Sequence, residues 1–201
     1  MIELSDHEFE LMGIPFQFWD MRWDRVRPGT NKERVEAFLR ARFKDDKDIG
    51  LGLLLMGSCG VGKSMFSAIV ASAYRHHDHS VTWVSAVTAQ RLLATDVEYE
   101  EGVTWEEHLR EAEVVVIDDL GAEGSFARWG NHVLSLMSDR INNGQTLVLN
   151  TRFDGAQLNA LYGVDWLEGM MARMVCIRLT SEQRNEAILD RQRVIGGGNG
   201  H

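Results

Sequence analysis

The chain has little of what marks several large protein classes. It carries two cysteines in 201 residues, Cys59 and Cys176. One lies inside a glycine-rich stretch and the other in an apolar run, so a disulfide framework is not expected, and the setting reads as reducing and cytoplasmic. No apolar run approaches the roughly 18 residues that a membrane span needs. The start, "MIELSDHEFE", lacks the basic and apolar regions of a secretion signal. Positive charge is not in excess: the formal net charge is −9, which argues against coating nucleic acid by bulk charge. A local basic stripe, or an assembly that lines up a few arginines, stays open. There are two prolines, Pro15 and Pro28, and no internal repeat.

What is present is an ordinary globular composition, 44% hydrophobic and 25% charged, and a length that suits one domain with a real core. Residues 1–29 read as irregular and aromatic-rich ("GIPFQFWDMRWDRVRPG"), packing on the core. A helix is expected from Thr30, with Thr30 and Glu33 as a capping box and Val35, Phe38, Leu39 and Phe43 on one buried face. Strands are expected at 51–56, 81–85, 114–117, 146–150 and 174–179. Helices are expected at 63–74, 86–94, 103–112 and 125–142, in two pieces around Gly163, and from Thr180, where Gln183 completes a second capping box. "TDVEYEEG" reads as an acidic loop, and residues 196–201 as a flexible tail. Strands alternating with helices predict an α/β fold, a parallel sheet flanked by helices. Ligands of such sheets sit beyond the carboxyl ends of the strands.

At one such end stands "GSCGVGKS", residues 57–64. It fits G-x-x-x-x-G-K-[ST] with Gly57, Gly62, Lys63 and Ser64. Its glycines let backbone N–H groups turn inward, so Gly57, Ser58, Cys59, Gly60, Val61 and Gly62 are expected to cradle phosphates. The helix N-terminus adds its positive end. Lys63 would reach the β- and γ-phosphates, and the Ser64 hydroxyl would bind Mg²⁺. The plain alternative, a tight turn with a surface lysine, does not require the full pattern in its strand-loop-helix setting.

"VVVIDDLGAE" is the second element: a strand buried on both faces that ends in Asp118 and Asp119. Asp118 would hold Mg²⁺, directly or through water. Asp119 would polarise the attacking water, with Glu123 as the alternative base. In "TLVLNTRF", Asn150 ends another strand, where its amide either bonds the γ-phosphate and the water or serves a turn. Arg173, in "MMARMVCIRL", is either a solvated arginine favoured by a helix C-terminus or an arginine finger offered to a neighbouring subunit.

In this order, the glycine loop, "VVVIDDLGAE", "SDRINNGQTLVLNTRF", "ARM" and "SEQRNE" resemble the AAA+ ATPases of the DnaC/IstB type, over about residues 12–192. The resemblance implies a P-loop NTPase of the AAA+ (ASCE) type over residues 30–195, with little or no separate lid domain, ATP or ADP as ligand and Mg²⁺ as cofactor. It implies Asn150 as the sensor residue, Arg173 as the finger, and Arg184 as a late arginine approaching the phosphates. It also implies a helicase loader for DNA replication or a helper ATPase of transposition. A separate N-terminal helicase-binding domain is not expected ahead of the first strand, which suits a compact loader. One local departure is "NTRF", which stands where the family carries a "TSNL"-like sequence.

Other features read plainly. "HHDH" at 76–79 reads as a solvated turn. Phe16, Phe18, Trp19 and Trp23 read as packing over the core or the adenine edge, with base stacking as the alternative. In the resembled family, the helix around Arg91 and the segment 95–105 face single-stranded DNA. Here that region carries Glu98, Glu100, Glu101, Glu106 and Glu107, which repel phosphate. The leading expectation is an ATPase that self-associates and loads a replicative helicase onto single-stranded DNA. A transposition helper, a nucleotide-gated adaptor and a small-molecule kinase are the alternatives.

Overall fold

The computed structural model describes residues 4–43, 52–95, 97–122 and 130–180, with the side chains of residues 130 and 131 left aside. In chain order the elements are α1 (Asp6–Leu11), α2 (Thr30–Phe43), β1 (Gly52–Met56), α3 (Lys63–His76), β2 (Val81–Ser85), α4 (Ala86–Leu93), β3 (Glu98–Glu100), β4 (Val103–Thr104), α5 (Trp105–Glu111), β5 (Val114–Asp118), α6 (Gly130–Asn142), β6 (Thr146–Thr151), α7 (Gly155–Tyr162), α8 (Val164–Met171) and β7 (Met174–Arg178). Two short 3₁₀ turns, Phe16–Phe18 and Trp23–Arg25, lie between α1 and α2.

Five strands form one parallel sheet in the order β2-β5-β6-β1-β7. Strand alternation sorts the core into two layers. Leu53, Leu55, Val114, Val116, Val148 and Ile177 face α2, α3 and the N-terminal segment, while Leu54, Val115, Ile117, Leu147 and Leu149 face α4 to α8. Leu53, Leu54 and Leu55 are all fully buried, and burying each such side chain is worth about 1.5–3 kcal/mol. That double burial is why these strands read as unbroken apolar runs rather than alternating ones.

The aromatic N-terminal segment is part of this packing. Phe9, Met12, Ile14 and Val26 are buried in the α3 layer, and Trp23 meets Phe66 edge-on with ring centres 6.5 Å apart. The Trp83 N–H of edge strand β2 donates to the Met12 carbonyl at 2.7 Å. The segment also holds a helix where an irregular stretch is expected. Ser5 and Glu8 form a capping box at the start of α1, a signal that "SDHE" carries.

Further differences from the sequence reading are small. "TDVEYEEG" is not wholly loop: Glu98–Glu100 pairs with Val103–Thr104 as a short antiparallel hairpin. Thr104 then caps α5 in a box with Glu107, so that helix begins two residues later than expected. Glu33 bonds the Gly29 carbonyl, which puts Thr30 in the first turn of α2. The segments 44–51, 123–129 and 181–201 hold the "KDDKD" loop, Glu123, the start of the expected helix 125–142, Arg184, the last expected helix and the tail; they lie outside the described residues.

Among the described residues no helix is long and apolar enough to cross a membrane. In the "HHDH" turn, His77 stacks on Phe43 at 4.1 Å and His79 contacts Glu113.

Candidate phosphate-binding site

The carboxyl ends of β5, β6 and β1 lie side by side, and each contributes to one site. β1 feeds the glycine loop, which ends at Gly62 as the N-cap of α3. Gly57, Gly60 and Gly62 have φ of 154°, 80° and 95°. Gly57 is required twice over: its φ disfavours any side chain, and a Cβ there would lie 2.8 Å from the Leu179 carbonyl. The loop is pinned from both neighbouring strands, by Gly57 N–H donating to Thr151 and Leu179 N–H donating to Met56. The first-turn amides of the 14-residue helix α3 have no intrahelical acceptors, and the helix dipole is positive there.

Lys63 is the first residue of α3 and is 7% exposed. Its ammonium donates to the carbonyls of Gly57 (2.9 Å) and Ser58 (3.0 Å), so the side chain folds back over its own loop. Burial pulls its pKa below the usual lysine range, opposed by Asp119, Cys59 and Asp118; the positive charge of Arg152 acts with burial. Ser64 donates its hydroxyl to Asp118 Oδ1 at 2.9 Å. This contact joins the glycine loop to the acidic tip of β5 across 54 residues of sequence. Burial raises the Asp118 pKa, against hydrogen bonds from Asn150 and Ser64.

Asp119 is exposed at the tip, with φ of 56°, a left-handed conformation that Asp tolerates better than most residues. The turn continues through Gly121, where φ is 95° and a Cβ would overlap the Phe153 ring. The tip is therefore shaped to let the segment after β6 pack against it.

Asn150 is fully buried, and its amide is spent inside the protein. Its Oδ1 accepts from Asp119 N–H at 2.9 Å, and its Nδ2 donates to Ser67 Oγ at 3.1 Å. It ties α3 to the acidic tip and fixes where Asp118 and Asp119 sit. Arg152, two residues on, is exposed, and its guanidinium lies 5.2 Å from the centre of the Phe153 ring.

Arg173 is not in this cluster. It directly precedes β7, and Met174 pairs with Gly52 at the start of β1. The glycine loop begins after the far end of β1, roughly 17 Å away at about 3.3 Å per residue. Arg173 is exposed, donates to Asn142 Oδ1 at 3.2 Å, and borders a cavity of about 250 Å³ between α6 and α8 that also touches Trp166 and Met170.

Another positive side chain at this edge of the sheet is used differently. Arg140 is fully buried, and it donates to the carbonyls of Leu109, Glu113 and Thr146 at 2.8–3.0 Å. Burial lowers its pKa to about 10. Its position was not marked as special by sequence, although it shares the helical stripe of Val133, Leu136, Met137 and Ile141, all buried.

A seryl hydroxyl and a carboxylate held 2.9 Å apart are hard oxygen donors of the kind Mg²⁺ takes, so the residues fit that cation.

The fold matches AAA+ P-loop ATPases of known structure. The DnaC helicase loader superposes with a TM-score of 0.67 at 17% identity, over 83% of this chain and 100% of that one. DnaI gives 0.66 at 21% identity, over 84% and 96%. AMPPCP-bound DnaA from Aquifex aeolicus gives 0.65 at 12% identity, over 91% of this chain and 57% of that one. No curated protein matches the sequence. The family model described as IstB-like ATP binding protein matches residues 24–189, a span that holds the glycine loop, the acidic tip and the Asn150 strand: the chain belongs to the IstB-like ATP-binding family.

Proposed function

We propose that the protein is an ATP-hydrolysing helicase loader that acts in the cytoplasm as a self-associating assembly during DNA replication. The observation that carries the ATPase reading is the Ser64–Asp118 contact, because it brings the two cation donors of a nucleotide site together with Asp119 beside them. Lys63 and the loop amides of residues 57–62 hold the phosphates, and Ser64 and Asp118 hold Mg²⁺. When bound, the cation screens negative charge on the β- and γ-phosphates. Asp119 orients a water whose oxygen attacks the γ-phosphorus; the bond to the ADP oxygen breaks, and Asp119 accepts the water's proton. Glu123 is the alternative acceptor. Asn150 acts as a sensor through the tip it anchors, and Arg184 approaches the phosphates as the resemblance implies. Arg173 faces away from its own loop, which suits a finger that completes the site of the next subunit. Residues 1–29 belong with the ATPase domain that follows.

The helicase partner is supported by the likeness in fold to DnaC and DnaI, which runs nearly the full length of both. The exposed Glu98, Glu100 and Glu101 on the β3–β4 hairpin repel phosphate, so single-stranded DNA is met mainly through the helicase. The resemblance to ATPases of the IstB type supports a second reading, a transposition helper that binds duplex DNA and a transposase. Turnover separates the readings. A loader hydrolyses ATP faster with single-stranded DNA and a replicative helicase present; a response to duplex DNA alone selects the helper. Binding of ATP with no turnover under either condition leaves a nucleotide-gated adaptor and overturns the hydrolase.

A further inference from the structure

Asn31 is a polar residue in an apolar position. It lies in the first turn of α2 and is 2% exposed, although asparagine is a weak helix former that mostly stays at the surface. A buried amide needs partners. It finds them on one residue, 149 positions away: Nδ2 donates to the Thr180 carbonyl at 3.1 Å, and Oδ1 accepts from the Thr180 N–H at 3.0 Å. The amide offers a donor and an acceptor in one plane, so it serves Thr180 as a neighbouring strand would.

This clasp sits beside the glycine loop. Arg178, the last residue of β7, pairs with Met56, the last residue of β1. The next residue, Leu179, is buried; its N–H donates to the Met56 carbonyl at 2.8 Å, and its own carbonyl stands where a Cβ on Gly57 would meet it. Leu179 is therefore the wall against which the loop makes its first turn. Thr151 of β6 stands on the other side of β1, where its carbonyl accepts from Gly57 N–H at 3.2 Å. Thr180 directly follows the wall, and Asn31 holds both its N–H and its carbonyl. Arg34, on the next turn of α2, donates to the Arg178 carbonyl at 2.9 Å, so one helix grips the chain on both sides of Leu179.

We infer that Asn31 is a positioning residue for nucleotide binding: by clasping Thr180 it holds Leu179 against Gly57, and so keeps the glycine loop in the form that receives phosphates. This rests on the phosphate-cradle reading above. A loop held in its binding shape beforehand does not lose affinity to the cost of ordering itself. Asn31 touches no phosphate, so its effect falls on ATP and ADP alike.

The test uses the full chain and fluorescent ATP and ADP analogues in magnesium buffer, with the parent, Asn31→Ala, Phe38→Leu and Lys63→Ala. Phe38 is buried about two turns further along the same helix, so Phe38→Leu lowers stability without touching the clasp. Urea denaturation and circular dichroism identify conditions in which each chain is folded. There the inference expects Asn31→Ala to weaken both nucleotides roughly tenfold and to speed amide hydrogen exchange in peptides covering residues 57–62. Phe38→Leu is expected to stay within about twofold of the parent in affinity, with exchange in that loop unchanged. If the alanine chain does not fold, Asn31→Ser, a smaller change that leaves a hydroxyl facing Thr180, carries the same comparison. Parent-like affinity of the folded Asn31 variant, or an equal loss in Phe38→Leu, overturns the inference while the cradle stands. A Lys63→Ala chain that binds both nucleotides as the parent does overturns the cradle, and the inference with it.

Discussion

The two ends of the parallel sheet use their charged side chains in opposite ways. At the carboxyl end, Lys63 folds over the glycine loop, Ser64 bonds Asp118, and Asp119 stands exposed at the tip beside them. At the amino end, Arg140 is fully buried and gives three hydrogen bonds to the carbonyls of Leu109, Glu113 and Thr146. It closes the gap between α5, β5 and β6, and its charge is consumed by the fold. Among the described residues, Arg173 at the same edge bonds the Asn142 side chain and stands in solvent. An arginine buried with its fork spent on backbone carbonyls is structure; one with its fork exposed is available to something else.

Substitutions break this contrast in a definite order. Lys63→Ala is expected to have the largest effect, a loss of ATP affinity of roughly 100-fold or more, since it removes the one buried cation of the loop. Isothermal titration measures it; parent-like affinity would refute the cradle. Next, Asp119→Asn and Arg173→Ala are each expected to keep nucleotide binding and lower turnover roughly 100-fold. Mixing the two restores part of the activity, because one supplies an intact site and the other an intact finger. If no mixture is rescued, and parent turnover per subunit does not rise with protein concentration, Arg173 is not acting in trans.

Arg140→Met sharpens the other side. It leaves three carbonyls without their donor and is expected to cost about 3 kcal/mol of stability, read by urea denaturation. Nucleotide affinity of the folded protein should change little, since the site is at the opposite edge. A smaller effect follows from Asp118. Burial raises its pKa in the folded state, so the folded chain holds this proton more tightly than the unfolded one. Its contribution to stability is therefore present at acid pH and lost as pH rises through the raised pKa. Protons also compete with Mg²⁺ for the same oxygens. As pH falls, magnesium-dependent ATP affinity should begin to decline at a pH above the range of an ordinary aspartate, and Asp118→Asn should flatten that profile. The smallest expected effect is a few-fold slower alkylation of the exposed Cys59 thiol in Mg-ATP, followed by mass spectrometry.

The sequence was most readable where the chemistry is local. The glycine loop is eight consecutive residues whose spacing is the signal, and the buried strands stand out as β-branched or leucine runs. Features that depend on distant partners were harder to read. Asn150 sits at the expected strand end, but its commitment to Ser67, 83 residues away, has no trace in "TLVLNTRF". Arg140 did leave a trace, as a polar residue on an otherwise apolar helical stripe, which in such a helix means either a mistake in phase or a buried, hydrogen-bonded cation. The hairpin Glu98–Thr104 was hidden by its charge: two short strands, of three and two residues, with three glutamates in and beside them look like a loop. "NTRF" was visible only as a departure, and it took the register of β6 on β1 to show where its arginine stands.

The hydrogen bond from Trp83 to the Met12 carbonyl has a consequence for behaviour in solution. β2 is a terminal strand of the sheet, and its sequence, "VTWVS", combines β-branched and aromatic residues without charge. Left bare, such a border is a template onto which a second chain can add its own strand, and from there aggregates grow. The segment through Met12 and Ile14 blocks that border by occupying its donor and covering its apolar face. Removing residues 1–15 should therefore do more than loosen the protein: it should convert a well-behaved chain into one that self-associates through β-structure, with thioflavin T fluorescence rising at concentrations where the whole chain stays dispersed.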